Sequence, residues 1–234
     1  MGIVLKQSFT NTLILFLGFA IGGINVLFLY THFLHEDYFG LITFLLSAAN
    51  IILPLLVFGM QNTIVKFYSS YKTKEAQDNF LTVTLLIPLV IIIPLALVGA
   101  LIYETIANWI SVENPIIKNY TYLIFIVAVF MGYFEVFYSW TKVHLKSVFG
   151  NFIKELLPRI CTSLLLVAVF LKWLTNDQFI YGVVAVYGLS TLIMMLYAFY
   201  IYKPTLKFSV PTNIKELLSF SFYIIVAGSA GGIL

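Results

Sequence analysis

Residues 79–103 read NFLTVTLLIPLVIIIPLALVGALIY, a stretch of 25 residues without a formal charge. A helix needs about 20 apolar residues to cross the roughly 30 Å hydrocarbon core of a membrane. The rest of the chain has the same character, since 61% of its 234 residues are hydrophobic and only 10% are charged. Soluble domains contain about 25% charged residues. The sequence therefore predicts an integral membrane protein.

Seven such stretches predict an all-α, polytopic transmembrane bundle with six full spans and one partial span. The weakest full span is 160–171, which reaches the required length only if Arg159 and Lys172 extend out of the hydrocarbon. Membrane β-strands would show strict alternation, which the sequence lacks. The seven stretches carry no formal charge except Glu135 in the fourth, and they are 7–34, 38–65, 79–103, 119–141, 160–171, 178–202 and 217–234.

The basic residues predict how the spans are oriented. If the N-terminus is cytoplasmic, eleven of the 13 Lys and Arg residues fall on inner segments. Only Lys118 and Lys172 then lie in outer loops. Because Lys and Arg are concentrated in cytoplasmic loops, we expect a multi-pass protein with a cytoplasmic N-terminus.

Two inner segments are predicted to be helical. Thr73 is placed to cap a helix that runs into the third span. Residues 142–157 carry apolar side chains at a spacing of three to four. That pattern fits a helix lying on the inner leaflet and equally a cytoplasmic extension of the fourth and fifth spans.

The N-terminal sequence recurs 209 positions later. When the sequence is aligned with itself at an offset of 209 positions, Lys6 aligns with Lys215 and Gly22-Gly23 aligns with Gly231-Gly232. An even number of spans separates the two copies, so both begin on the same side of the membrane, as in a parallel repeat. We therefore predict a six-helix lobe over 1–205, followed over 206–234 by a linker and the truncated first helix of a second lobe. The chain is accordingly expected to be a fragment of a protein about twice as long.

Three segments of the chain carry characteristic patterns. The first, 36–80, has Tyr38-Phe39-Gly40 where an outer loop enters the second helix, Phe58-Gly59-Met60 near the inner end of that helix, and Lys66-Phe67 just beyond. The second, 6–18, belongs to the first helix, and the third, 139–160, to the inner loop between the fourth and fifth helices. These segments resemble the corresponding regions of oligosaccharide flippases, which belong to the multidrug/oligosaccharidyl-lipid/polysaccharide exporter superfamily.

The resemblance implies two six-helix lobes around a central cavity that opens to each side of the membrane in turn. The implied cargo is an undecaprenyl-pyrophosphate-linked oligosaccharide, exported across the bacterial cytoplasmic membrane for surface polysaccharide biosynthesis. The implied partners are membrane lipid, the C-terminal lobe and polysaccharide assembly enzymes. No cofactor is implied.

Other functions were weighed against this interpretation. The sequence has no catalytic, Walker or metal-binding motif, and topology accounts for the basic residues without nucleic acid. A cation-coupled small-molecule or drug antiporter of the same superfamily would place acids deep in the first helix, which has none. A membrane-embedded transferase would need clustered acids or histidines, and the outer loops offer only His35-Glu36-Asp37. The third alternative is that the half-length chain does not transport.

Glu135 is the one acid inside a predicted span. A charge at the centre of a bilayer costs about 2.5–3.5 kcal/mol, so this residue needs an explanation. It is predicted either to couple transport to a proton or cation, or to form a structural ion pair. Lys142 lies two turns further along the same helix face and is the partner that the sequence suggests.

The remaining candidate residues are amides and cations. Amide side chains suit sugar hydroxyls because they both donate and accept hydrogen bonds, although they also join helices. Cations at the inner side would meet a pyrophosphate, or would simply set orientation and attract anionic lipid. The predicted cavity residues are Asn25, Asn50, Gln61, Asn62, Lys66, Lys142 and Arg159.

Overall fold

A computed structural model describes residues 2–205 and 209–231. Those residues form helices and no strand, which confirms the predicted all-α class. A π-helical segment, Asn25–Tyr30, joins the first helix to the second, and 3₁₀ segments cover Tyr68–Ser70 and Pro115–Tyr120. The helices are α1 (Ile3–Ile24), α2 (Thr31–Phe33), α3 (Glu36–Leu56), α4 (Met60–Phe67), α5 (Lys74–Leu101), α6 (Tyr103–Ile110), α7 (Thr121–Val143), α8 (Ser147–Glu155), α9 (Leu157–Phe170), α10 (Asn176–Ile201) and α11 (Ile214–Gly231).

Five helical segments within the described residues are long and apolar enough to cross a membrane. They correspond to the first four predicted spans and to the sixth. Thr73 caps α5 as predicted, because its side chain accepts a hydrogen bond from the Ala76 backbone N–H. The five segments are Leu5–Phe33, Glu36–Leu56, Lys74–Leu101, Pro115–Val143 and Asn176–Ile201.

The fifth predicted span corresponds to α9, which has only 14 residues. At 1.5 Å per residue it rises about 21 Å, less than the hydrocarbon core of a membrane. Helix α8 precedes it almost without interruption, since the backbone N–H of Leu156 still bonds to Phe152 O. The break falls next to Pro158, which has no backbone N–H to donate. Helix α8 thus leads directly into α9, which favours the alternative in which residues 142–157 extend the fourth and fifth spans.

Hydrogen bonds between the segments where helices begin and end identify one end of the bundle, which we call the lysine-rich end. Four segments that the sequence placed on the inner side meet there. The bonds that join them are Gln7 Nε2 to Leu145 O at 2.7 Å, Tyr68 Oη to His144 Nε2 at 3.1 Å, and Tyr71 Oη to Asn213 Oδ1 at 2.7 Å.

The predicted outer segments meet at the opposite end, which we call the Asp177 end. The Asp177 carboxylate accepts hydrogen bonds from Tyr38 and Tyr120, and Asn114 donates to the backbone carbonyl of Asp37. The chain from α1 to α10 therefore passes between the two ends six times, with α8 and α9 together making the fifth pass.

Helix α7 lies at the centre of the bundle and contacts α3, α4 and α10 extensively. Its residues Val127, Ala128, Val136 and Trp140 are fully buried. The terminal helices occupy the edges: α1 packs mainly on α8, whereas α11 packs on α3 and α4. Gly232, which completes the second glycine pair of the predicted repeat, lies outside the described residues.

Candidate functional site

A polar cavity of about 220 Å³ lies among α3, α7, α8, α9 and α10. It is displaced toward the lysine-rich end, because Glu135 on α7 lies about 12 Å along the axis from the end of that helix at Val143. Charged side chains are unusual at such depth in an apolar bundle. The polar residues that line the cavity are Asn50, Glu135, Lys154, Glu155, Arg159, Tyr187, Ser190 and Thr191.

Glu135 forms an ion pair across the cavity with Lys154 of α8. The distance from Lys154 Nζ to Glu135 Oε1 is 2.6 Å, and the side chains are 45% and 17% exposed, respectively. The sequence suggested Lys142 as the partner, and that suggestion is wrong. Residues seven positions apart on a helix are separated by about 10.5 Å along its axis, and Lys142 Nζ instead lies 3.8 Å from the centre of the Tyr138 ring.

A second ion pair lies beside the first. Arg159 Nη1 at the start of α9 is 2.6 Å from Glu155 Oε2, one turn earlier in the chain. The two acids and two bases of the cavity balance one another in formal charge. Such pairing reduces the cost of placing charges among apolar helices.

Helix α1 contacts the second pair through residues that lack side chains. A Cβ atom added at Gly18 would lie 2.6 Å from Arg159 Nη1 and 3.1 Å from Glu155 O. One at Gly22 would lie 3.1 Å from Arg159 Nε. The two glycines therefore let the guanidinium of Arg159 lie directly against α1.

Asn25 joins α1 to α9 rather than lining the cavity. Its side chain is buried, donates to Arg159 O at 2.9 Å and accepts from Ser163 Oγ at 2.6 Å. It is also the first residue of the π-helical segment. Such segments are rare, and they frequently occur at functional sites.

Polar contacts extend this junction along α1 toward the lysine-rich end. Gln7 accepts a hydrogen bond from Ser147 Oγ at 3.0 Å, and Asn11 donates to the same hydroxyl at 3.1 Å. Asn151 Nδ2 donates to Asn11 O at 3.1 Å. We call this line of contacts the α1 seam; its members on α1 are Gln7, Asn11, Gly18, Gly22 and Asn25.

The other predicted residues lie in different places. Asn50 lines the cavity and donates to Leu46 O of its own helix at 3.0 Å. Gln61, Asn62 and Lys66 belong to α4 and do not line it. Lys66 Nζ lies 3.8 Å from the centre of the Phe220 ring, so it contacts α11. Of the predicted set, the cavity thus contains Asn50, Glu135 and Arg159.

Sequence reasoning missed five polar residues of the cavity. Lys154 and Glu155 were attributed to an inner segment, where charges need no explanation. The hydroxyls of Ser190 and Thr191 gave no signal, because such residues commonly bond to the preceding turn of their own helix. Thr191 also donates to Phe130 O at 2.7 Å and so joins α10 to α7. Tyr187 completes the set.

The chain matches one family model, described as "Polysaccharide biosynthesis protein", over residues 4–234. No curated protein and no solved structure gives a significant match. The family match takes in every helix that lines the cavity, as well as α1 and α11. The chain therefore belongs to the polysaccharide biosynthesis protein family, the family of the polysaccharide flippases and multidrug/oligosaccharidyl-lipid/polysaccharide exporters.

Proposed function

We propose that this protein moves a lipid-linked oligosaccharide across the bacterial cytoplasmic membrane by alternating access. The cargo would be an undecaprenyl-pyrophosphate-linked oligosaccharide carried from the cytoplasmic to the outer leaflet. The observation that carries the proposal is membership of the polysaccharide biosynthesis family over residues 4–234. The charged cavity within an apolar bundle adds support, since intramembrane charges commonly mark transport pathways.

The organisation into lobes is part of the proposal. Residues 1–205 would form the first lobe, and α11 would begin the second. In support, α11 packs on α3 and α4, whereas α1 packs mainly on α8, so α11 lies against a different side of the first lobe. The cargo would pass between this lobe and the second one.

We further propose that the lysine-rich end faces the cytoplasm. The start of α1, which carries Lys6, and the lysine-bearing segments after α4, between α7 and α8 and after α10 gather at that end. The excess of basic residues on these segments is typical of cytoplasmic loops. Cysteine-accessibility labelling of single sites at the two ends, in intact cells, would test this orientation.

The contacts of the candidate residues favour different roles for them. Asn50 and Arg159 line the cavity and are the best placed to face cargo. Asn25 has internal hydrogen bonds that account for it, as the aromatic contacts of Lys66 and Lys142 do for those two lysines. Glu135 would hold α7 to α8 through Lys154, and an ion-coupling role would require that this pair open during transport.

The test is deletion of the gene in its host, followed by analysis of lipid-linked glycan. We expect surface polysaccharide to fall and lipid-linked oligosaccharide to accumulate on the inner leaflet, and the plasmid-borne gene should reverse both changes. Unchanged surface polysaccharide with no trapped intermediate would contradict the proposal. Altered drug susceptibility with normal surface polysaccharide would instead favour the antiporter alternative.

A further inference from the structure

Helix α3 carries an exposed polar stripe, which consists of Thr43, Ser47 and Asn50. From Leu41 to Asn50 these three are the only residues of the helix that are exposed. Residues three and four positions apart lie on the same face of a helix, so the three side chains form one line, about 10 Å long. The stripe points away from α7, because the buried residues of α3 lie on the opposite side of the helix.

The exposed surface of α5 has the opposite character. Every exposed residue of that helix from Leu86 to Leu101 is apolar, as a surface in contact with lipid requires. A hydroxyl or amide group that faces hydrocarbon loses its hydrogen bonds to water and gains none in return. The outward face of α3 is therefore poorly suited to lipid. It suits a water-filled space, such as the one between the two lobes of the proposed transporter.

The stripe has hydrogen-bonding groups that the protein does not use. Hydroxyls within a helix commonly bond to the preceding turn, but those of Thr43 and Ser47 make no hydrogen bond within the described residues. Asn50 donates one N–H to Leu46 O at 3.0 Å, which leaves its carbonyl oxygen and its second N–H free. These groups both donate and accept hydrogen bonds, as sugar hydroxyls do.

Asn50 connects the stripe to the charged cavity, since it is exposed and also lines that cavity. The Tyr187 hydroxyl, which belongs to the same cavity, has no hydrogen-bond partner in the described part of the chain. Both acids of the cavity are paired with its two bases, and the stripe itself carries no charge. The combined surface thus offers hydroxyl and amide groups, and its described residues include no unpaired cation for a phosphate.

We propose that the stripe and the cavity together bind uncharged sugar residues of the glycan. Sugar hydroxyls would bond to Thr43 and Ser47 along α3, and one ring would reach Asn50 and the Tyr187 hydroxyl at the cavity. This site rests on the proposed function, because it needs a glycan as cargo and a second lobe that shields the stripe from lipid. It adds the chemical class that this wall of the pathway binds, which is neutral polyhydroxyl groups and not pyrophosphate.

Cysteine labelling of the stripe tests the site. Ser47→Cys, in a Cys161→Ala background and expressed from the complete gene, is treated in isolated membranes with a charged methanethiosulfonate reagent. Because the thiolate is the reactive form and needs water around it, we expect Ser47→Cys to be labelled. A panel of methyl hexosides and methyl N-acetylhexosaminides should include members that slow labelling severalfold, whereas inorganic pyrophosphate should not. Adding Asn50→Leu should remove the protection by sugars and leave the labelling.

Ile93→Cys on α5 provides the matched control. Ser47 and Ile93 lie ten and eleven residues, respectively, from Asp37 and Glu104, the charged residues at the Asp177 end of their spans. Both are thus roughly 15 Å from that end. Ile93 is 58% exposed, but in the apolar surface of α5. It should resist the reagent in membranes and react after denaturation. If Ser47→Cys is not recovered in membranes, Thr43→Cys replaces it.

Three results would overturn the proposal. The first is equal reactivity of Ser47→Cys and Ile93→Cys, which would show that the stripe is no more hydrated than the apolar surface of α5. The second is labelling of Ser47→Cys that no sugar slows, which would mean that only water contacts the stripe. The third is protection by pyrophosphate and not by sugars, which would assign this wall to the phosphate end of the cargo.

Failure of the proposed function would give a different pattern. Deletion of the gene would then leave surface polysaccharide and lipid-linked glycan unchanged, while sugars would still protect Ser47→Cys from the reagent. In that case the sugar site stands and the proposed cargo is wrong.

Discussion

Lys154 of α8 and Glu135 of α7 lie 2.6 Å apart, and their ion pair joins two helices across the polar cavity. Glu135 is the more deeply placed of the two, whereas Lys154 is nearly half exposed. The lysine therefore has solvent within reach on the open side of the cavity, whereas the glutamate is largely enclosed by the bundle. Two roles of the pair can therefore be tested: a permanent structural contact, and an ion pair that opens during transport.

Replacing Glu135 with Gln should destabilise the protein by about 1–2 kcal/mol. The value lies between those of exposed and buried ion pairs, because Lys154 would lose its counter-ion but could still reach solvent. The measurement is the midpoint of thermal unfolding in detergent. Glu155→Gln would serve as a comparison, since it removes the acid of the neighbouring pair.

The double variant Glu135→Gln/Lys154→Gln separates the two roles of Glu135. We expect it to regain most of the lost stability, since neither charge is then left unpaired. Normal export of glycan by the double variant would identify a structural pair. A stable double variant that fails to export would identify ion coupling. If the double variant is no more stable than Glu135→Gln alone, the two side chains are not energetically coupled.

Two glycines of α1 should respond to alanine in opposite directions. Gly23→Ala should stabilise the protein by up to about 1 kcal/mol, because alanine favours the helix and its Cβ meets open space. Gly18→Ala should destabilise it by about 1–2 kcal/mol, because its Cβ would press on Arg159 and on Glu155 O. Thermal unfolding of the two variants side by side checks this. Equal stabilisation by both would mean that α1 does not lie against Arg159.

The number and order of the passes could be predicted from the sequence because a hydrocarbon layer imposes a minimum length on each uncharged stretch. The short α9 was the exception. The helix is short because of the break beside Pro158, and the chain still completes the pass because α8 leads into α9 with only Leu156 between them. The contacts at the two ends of the bundle confirm which segments were grouped together.

The site was less predictable, for a physical reason. Glu135 was recognisable because an acid inside an apolar stretch is rare. Its partner was not, since the spacing along one helix says nothing about which residue of another helix lies opposite. The α1 seam does have a signal in the sequence. Gln7, Asn11, Gly18, Gly22 and Asn25 follow at helical spacing, and small or polar residues mark helix contacts in membranes.

The hydrogen bond between Asn25 and Ser163 should contribute measurably to stability. A double-mutant cycle with Asn25→Leu and Ser163→Ala should give a coupling energy of about 0.6 kcal/mol, the average for interhelical hydrogen bonds in membranes, and at most about 1.7 kcal/mol. Unfolding in detergent supplies the four values. We expect the amount of glycan exported by each variant to fall only as far as its stability falls. Loss of export by a fully stable Asn25 variant would mean instead that Asn25 acts on the cargo.

The break between α3 and α4 should determine how firmly α11 is held. Gly59 has a φ angle of +63°, and a Cβ atom there would lie 3.0 Å from Ser221 O on α11. Beside it, Thr63 Oγ1 and Ser221 Oγ are 2.6 Å apart in a fully buried contact. Gly59→Ala should therefore cost about 1–2 kcal/mol from the left-handed backbone alone, and it should also displace α11.

Two measurements separate these effects on α11. In a Cys161→Ala background, Thr63→Cys/Ser221→Cys should form a disulfide on mild oxidation, because the side chains are adjacent. Adding Gly59→Ala should slow that reaction and lower the unfolding temperature, whereas adding Gly99→Ala should do neither, since its Cβ meets open space. Equal disulfide formation in both backgrounds would show that α11 is held independently of the turn at Gly59. In that case other contacts of α11 would hold the helix in place, and the contact between Thr63 and Ser221 would be a consequence of its position.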